Sequence, residues 1–166
     1  HQLPLVHAGD LAEKAEDPFL RRGARTFLNF RAYLYRLAGR LPEALKDAEA
    51  ACRGCQTPDV SPGLAVDLLH LRALISLDLG EHDDFERQTE EIRDYCETQG
   101  TPKFMRAVHY LRGRQELKRG RGQRAISEFE RALDLSMPET GDSDQAAILF
   151  GLAEAYESIG NAWAAI

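Results

Sequence analysis

Apolar residues recur at helical spacing along almost the whole chain, and no stretch alternates with period two for long enough to predict a strand. The pattern predicts an all-α protein. Helices are expected over residues 3–16, 18–38, 42–55, 62–79, 83–98, 102–119, 122–136 and 143–159, with a last helix beginning near Asn161. Three of these starts pair a residue that commonly caps helices with a proline in the first turn: Asp17-Pro18, Ser61-Pro62 and Thr101-Pro102.

Four glycines mark an internal repeat of 40 or 41 residues: Gly39, Gly80, Gly120 and Gly160. Seven residues before each glycine the side chain is small: Ala32, Ala73, Gly113 and Ala153. A mostly apolar stripe follows five, nine and twelve residues after the glycine, as in Ala44, Ala48 and Ala51. Because glycine tolerates the left-handed conformation that ends helices, each of the four is expected to close a first helix. The small residue then lets the second helix pack closely with its stripe.

The segment Tyr110–Leu133 resembles a tetratricopeptide repeat most closely. The consensus has its small and aromatic positions at Gly113, Gly120, Ala125, Phe129 and Ala132. The copy around Gly80 is the most divergent, and the resemblance covers nearly the whole chain. It implies a right-handed superhelical stack of antiparallel helical hairpins. A typical repeat has about 34 residues. These longer repeats look like those of kinesin light chains, cell-polarity scaffolds and the sensor regions of large bacterial transcription activators.

The repeats divide the chain into one solenoid segment with incomplete ends. Residues 17–58, 59–100 and 101–140 are predicted to form three hairpins, and residues 141–166 an incomplete fourth. Residues 1–16 are interpreted as the second helix of a preceding hairpin, since Ala8, Ala12 and Ala15 repeat the spacing of the later stripes. Neither end shows the polar face of a capping repeat. We therefore expect a segment of a longer protein, with apolar side chains exposed at its end that would allow self-association: Phe150, Leu152 and Trp163.

The resemblance also implies a partner-binding groove, because the first helix of each tetratricopeptide hairpin lines the concave side. Residues ten and six before each glycine are expected to face it: Asn29, Tyr33, His70, Leu74, Tyr110, Arg114, Phe150 and Glu154. Arg36 and Lys118 are expected at its edge. This mixture of aromatic and polar side chains suits a protein or peptide partner. The alternative is that some of these residues pack between neighbouring hairpins.

Charge is unevenly distributed along a chain of 166 residues with a formal net charge of −6. The net charge argues against nucleic acid as the main partner. A basic block at 103–124 could meet an acidic partner or a phosphate backbone, but we favour partial neutralisation by the acidic block at 81–97. An arginine recurs eight residues before three of the glycines, at Arg31, Arg72 and Arg112. We expect it to pair with carboxylates of the next helix rather than to line the groove.

Catalysis is not expected, because the chain contains no HExxH motif, glycine-rich phosphate loop or serine nucleophile elbow. No cofactor or metal is expected either. Cys52 and Cys55 form one CxxC without a second ligand pair, and Cys96 stands alone. An odd number of cysteines with no regular framework indicates free thiols in a cytoplasmic protein. No apolar run approaches the length of a membrane span.

The sequence therefore favours a non-catalytic protein- or peptide-binding scaffold within a larger regulatory or assembly protein. The alternative is an effector-sensing helical-repeat domain of a bacterial transcription regulator, and a lesser alternative is nucleic-acid contact through residues 103–124. Arginine outnumbers lysine 17 to 4, which is typical of proteins from high-GC bacterial genomes.

Overall fold

The structure is a computed structural model that describes residues 16–136 and 143–160. Within these ranges the chain is all-α, as predicted, with seven α-helices, one short 3-10 helix and no strand. The helices are α1 Pro18–Leu37, α2 Leu41–Cys52, α3 Pro62–Leu79, α4 His82–Thr98, α5 Met105–Lys118, α6 Gly122–Asp134 and α7 Ser143–Ser158, with the 3-10 helix at Pro102–Phe104. The helices predicted over residues 3–16 and from Asn161 lie outside the described residues.

The repeat glycines adopt the left-handed conformation that the sequence predicts, with φ angles of 72°, 81°, 69° and 75° at Gly39, Gly80, Gly120 and Gly160. Three of these turns close with the same type of hydrogen bond. The amide of the residue after the glycine donates to the carbonyl of the residue four positions before the glycine. The bonds are Arg40 N to Tyr35 O at 2.9 Å, Glu81 N to Ser76 O at 3.0 Å and Arg121 N to Glu116 O at 2.9 Å. These bonds satisfy carbonyls that a helix end would otherwise leave unpaired, so the prediction of glycine-terminated first helices is confirmed.

Two of the three predicted N-caps are present. Asp17 Oδ1 accepts a hydrogen bond from Phe19 N at 2.8 Å, and Ser61 Oγ accepts one from Leu64 N at 3.4 Å. The prediction for Thr101 is wrong, because its side chain makes no capping bond among the described residues. Its ψ angle is 69°, whereas Asp17 and Ser61 have extended values of 118° and 143°. The chain instead turns through the 3-10 helix, and α5 begins only at Met105.

Contacts divide the chain into two compact units with a boundary inside α4, at Gln88–Thr89. In the N-terminal unit α1 packs on α2, α2 packs on α3, and α1 also contacts α3. In the C-terminal unit α5, α6 and α7 show the same three pairings. Each unit therefore contains a first helix, its second helix and the first helix of the following repeat. This packing of consecutive helices is that of a helical-repeat protein.

The core of the N-terminal unit is built around the alanine stripe of α2. Ala44 and Ala48 are fully buried and cluster with Ala32 on α1 and with Leu71 and Ile75 on α3. Because the stripe has almost no side-chain bulk, α2 can lie close to both neighbouring helices. The larger side chains of α3 fill the remaining space.

The core of the C-terminal unit is built around Phe129 of α6, which is fully buried. Glycines on both neighbouring helices make room for its ring. A Cβ at Gly113 would lie 2.6 Å from the ring, and one at Gly151 would lie 2.7 Å from it. Leu152, which we expected to be exposed, is buried because it packs in this cluster with Ala155.

Candidate partner-binding surfaces

The predicted groove residues of the N-terminal unit lie on α1 and α3, which contact each other. Tyr33 is 45% exposed, whereas Leu74 on α3 is buried and offers little surface to a partner. Asn29 and His70 are half-buried. The Oδ1 atom of Asn29 is shielded from solvent and has no hydrogen-bond partner among the described residues.

Arg36, predicted at the groove edge, forms a link between the same two helices. Its Nε donates to Asp78 Oδ2 at 2.7 Å, and both side chains are partly exposed. The arginine is thus engaged within the unit. The accessible part of this groove segment is the ring of Tyr33.

In the C-terminal unit the predicted groove residues differ in whether they contact other side chains of the unit or are exposed to solvent. Tyr110 packs against the core, with its ring centroid 5.7 Å from that of Phe129. Arg114 on α5 forms an ion pair with Glu154 on α7. Each of these two residues lies six positions before the glycine of its own repeat. Phe150 is 66% exposed. Lys118 is also exposed, near the end of α5.

Arg31 and Arg112, which recur eight residues before a repeat glycine, form ion pairs in the structure. Arg31 binds both carboxylate oxygens of Asp47 on the next helix, at 2.5 and 2.7 Å, and these bonds raise the pKa of its guanidinium above the ordinary value. Arg112 instead donates to Glu90 on α4 at 2.7 Å. The expected pairing with the next helix is therefore observed for Arg31, while Arg112 pairs with the helix before its own.

Much of the basic block at 103–124 is paired with carboxylates. Besides Arg112, Arg114 binds Glu154, and both Arg119 and Arg121 approach Glu116, at 3.2 and 3.6 Å. This pairing reduces the positive charge available to a phosphate backbone. The Arg112–Glu90 pair is also one direct contact between the basic and the acidic block.

An apolar surface on α1 was not predicted from the sequence. Six large side chains lie within an arc of about 100° on the helix, at about 100° per residue, and all of them are exposed: Phe19, Leu20, Phe27, Phe30, Leu34 and Leu37. The buried residues Leu28 and Ala32 lie on the opposite side. The sequence did contain a signal, because large apolar residues between 18 and 37 are too numerous for one helix face.

The described residues contain no group of three or more side chains that could hold a metal ion. The thiols of Cys52, Cys55 and Cys96 form no disulfide and are buried, and burial raises the pKa of the Cys96 thiol to about 11. Buried Arg25 on α1 donates to the carbonyls of Arg53 and Gly54, at 3.1 and 3.0 Å, and so ties the Cys52–Cys55 turn to α1.

Comparison with known proteins adds information about the fold. No family model and no curated protein matches the chain. The crystal structure of BtubC (BKLC) from P. vanneervenii is similar, with a TM-score of 0.61 and 18% sequence identity over 92% of this chain and 61% of that one. This chain thus spans less than two thirds of the length of BtubC. At such identity the likeness supports the helical architecture alone. No described helix is both long and apolar enough to cross a membrane.

Proposed function

We propose that this chain is a non-catalytic, tetratricopeptide-like module that binds a protein or peptide along its first helices. The observation that carries the proposal is the arrangement of first helices within each unit. In each unit two first helices are in contact, α1 with α3 in the N-terminal unit and α5 with α7 in the C-terminal unit. Each unit also has an exposed aromatic side chain at a groove position. These side chains are Tyr33 in the N-terminal unit and Phe150 in the C-terminal unit.

The same residues indicate what kind of partner would be recognised. Exposed aromatic rings are the side chains that most often dominate protein–protein binding energy. A peptide segment that presents an apolar side chain to these rings satisfies this requirement. The proposal includes a cytoplasmic location, which is supported by the three free thiols.

The test is selection from a random-peptide display library against the immobilised full chain, followed by fluorescence anisotropy with the enriched peptides. Tyr33→Ala and Phe150→Ala are expected to weaken binding at least about tenfold, or about 1.4 kcal/mol. Phe19→Ala is the matched control, since Phe19 is an exposed aromatic residue outside the groove positions. It should leave the affinity unchanged.

Two outcomes would count against the proposal. One is a library that yields no enriched sequence. The other is a set of peptides whose affinity is reduced by Phe19→Ala but not by Tyr33→Ala or Phe150→Ala, which would move binding away from the groove positions.

A further inference from the structure

We propose that two copies of this chain associate through α1, with the two helices packed antiparallel along one apolar seam. Six positions form the seam, and their spacing alternates between three and four residues: Leu20, Gly23, Phe27, Phe30, Leu34 and Leu37. This contact uses neither the groove positions nor Phe150, Leu152 and Trp163, at which self-association was expected from the sequence. It can therefore be tested independently of peptide binding.

The alternating spacing of the seam is that of a coiled coil, in which each helix presents two residues per heptad to its partner. It places all six positions within an arc of about 100° on α1. The five side chains of the seam are between 47% and 64% exposed. The space that a side chain at Gly23 would occupy is open as well. This face of α1 thus has the pattern of a helix contact and is accessible to a partner helix.

The two ends of the seam distinguish α1 from the other first helices. On α3, α5 and α7 the positions twelve, nine and five residues before the repeat glycine are buried inside their own unit. The positions nineteen and two residues before the glycine are polar around α3 and α5: Ser61, Asp78, Thr101 and Lys118. On α1 the same two positions are Leu20 and Leu37. The seam therefore continues for about five turns, which suits a partner helix as long as α1 itself.

The seam is complementary to itself when two copies of α1 run antiparallel. In one register Phe27 lies opposite Phe30 of the second copy. That register also places Gly23 opposite Leu34 of the second copy and brings together the leucines at the two ends of the seam. The open space at the glycine then receives a leucine side chain. In a parallel pair each position would face itself, so that two opposed glycines would leave a gap. The residue sizes therefore favour the antiparallel pair.

The charges beside the seam are compatible with a second copy of the same helix. Two of the residues that flank the seam are basic, and both are paired with carboxylates, Arg31 with Asp47 and Arg40 with Glu43. The other flanking positions hold uncharged residues. Two copies can therefore approach without opposing unpaired like charges across the contact.

The exposed apolar area reaches the size that a specific dimer needs. An aromatic side chain presents about 200 Å² and a leucine slightly less. The seam and the adjacent Phe19, which is 80% exposed, together expose roughly 600 Å² on one copy. Two copies would bury roughly 1,200 Å², which is the lower end of the range for specific interfaces. We therefore expect a dimer that depends on protein concentration.

Sedimentation velocity of the full chain tests the contact at concentrations from about 1 to 100 µM. The native chain should shift from monomer to dimer in this range. Phe30→Lys should raise the dissociation constant at least about a hundredfold, because twofold symmetry places the lysine in the contact twice. In addition, α1 contains no acidic residue that could pair with it. Phe30→Leu keeps an apolar side chain and should change the constant less than about fivefold.

Phe150→Lys is the matched control, since it places a lysine at an exposed phenylalanine of the other unit and should leave the dimer unchanged. Circular dichroism should show equal helix content in all three variants and the native chain. This measurement separates loss of the contact from loss of the fold.

Cross-linking with a short bismaleimide tests the antiparallel arrangement. Leu20→Cys and Leu37→Cys should cross-link when the two variants are mixed, because these positions face each other in the proposed register. Neither variant should cross-link alone, since two copies of residue 20 would lie about 26 Å apart along the helix axis. A mixture of Leu20→Cys with Phe150→Cys is the control and should not cross-link. The native thiols are buried and should react slowly.

Four outcomes would overturn the proposal. The first is a native chain that remains monomeric at about 100 µM. The second is a dimer that is lost in Phe150→Lys but retained in Phe30→Lys, which would place the contact on the C-terminal unit. Cross-linking of either cysteine variant alone would reject the antiparallel arrangement. A dimer whose mixed variants do not cross-link would move the contact to another face.

Discussion

The two units have the same order and pairing of helices, but they fill their cores in opposite ways. Three equivalent positions meet in each unit: one on the first helix, one on the second helix and one on the following first helix. In the N-terminal unit these are Ala32, Ala48 and Leu71, which lie in one cluster. The second helix is small here, and the bulk comes from Leu71 on the following helix.

In the C-terminal unit the same three positions hold Gly113, Phe129 and Gly151. The bulk comes from the second helix, and both neighbouring helices have no side chain where the ring lies. The comparison teaches that the repeat constrains the total volume at this contact rather than the residue at any one position. This is the behaviour expected of close-packed interiors, which tolerate redistribution of volume better than a change in its sum.

The largest expected effect comes from disturbing the volume balance of the C-terminal unit. Phe129→Ala should destabilise the protein by about 3–5 kcal/mol, because it leaves a cavity between two glycines. Gly113→Ala should cost about 1–3 kcal/mol, because its Cβ would overlap the ring. The double variant resembles the Ala32–Ala48 arrangement, so it should be more stable than the sum of the two losses by about 1–2 kcal/mol. Urea unfolding followed by circular dichroism measures all three.

Gly23→Ala is the control for this cycle. Gly23 lies inside α1, and no described atom lies within 4 Å of the position of its Cβ. Alanine there should stabilise the protein by about 0.5–1 kcal/mol through its higher helix propensity. Strict additivity of Gly113→Ala and Phe129→Ala would contradict the comparison, since Gly113→Ala would then cost the same with and without the ring.

The backbone of this fold could be predicted from the sequence more fully than its surfaces. Helix ends follow local chemistry, so Gly39 and Gly80 located the turns and Asp17 and Ser61 located the starts. The role of Gly151 could not be predicted in this way, because the repeat placed the small residue at Ala153. Whether a small residue is needed depends on the side chain that meets it from another helix, and that contact is not local.

The groove positions illustrate the same limit. Leu74 and Tyr33 occupy equivalent places in the repeat, yet Leu74 is buried and Tyr33 is exposed. Tyr110, also predicted to face the groove, packs on Phe129 instead. Position in a repeat fixes the direction of a side chain approximately. The size of its neighbours decides whether it remains accessible.

A smaller effect is expected at the carboxylate that lies eight residues after the repeat glycine. The side chain that this carboxylate contacts differs between the two units. Asp47 holds Arg31 through two hydrogen bonds and is buried, whereas Glu128 is half-buried and contacts His109 Nδ1 at 2.8 Å. Asp47→Asn should therefore cost about 2 kcal/mol, since it leaves a partly buried guanidinium without its counter-charge. Glu128→Gln should cost less than about 1 kcal/mol, because the amide can still hydrogen-bond to the imidazole.

Urea unfolding of the two variants checks this difference between the units. Amide hydrogen exchange locates each loss, which should be confined to α1 and α2 for Asp47→Asn and to α5 and α6 for Glu128→Gln. Equal losses for the two substitutions would show that the bidentate geometry at Asp47 adds nothing to stability.

A further effect is a pH dependence located in the C-terminal unit. Burial raises the pKa of the Cys96 thiol from its ordinary value near 9 to about 11. Above pH 9 the unfolded chain loses this proton while the folded chain retains it, so stability falls as the pH rises through the interval from 9 to 11. The loss should be about 1–2 kcal/mol by pH 11, allowing for partial solvent screening. Urea unfolding at pH values of about 9, 10 and 11, which span the interval in one-unit steps, measures it. Cys96→Ala should show a shallower decline over the same range, and the comparison of slopes removes the contribution of the cavity it creates. Identical slopes in the two proteins would mean that Cys96 ionises equally well in the folded and unfolded chain.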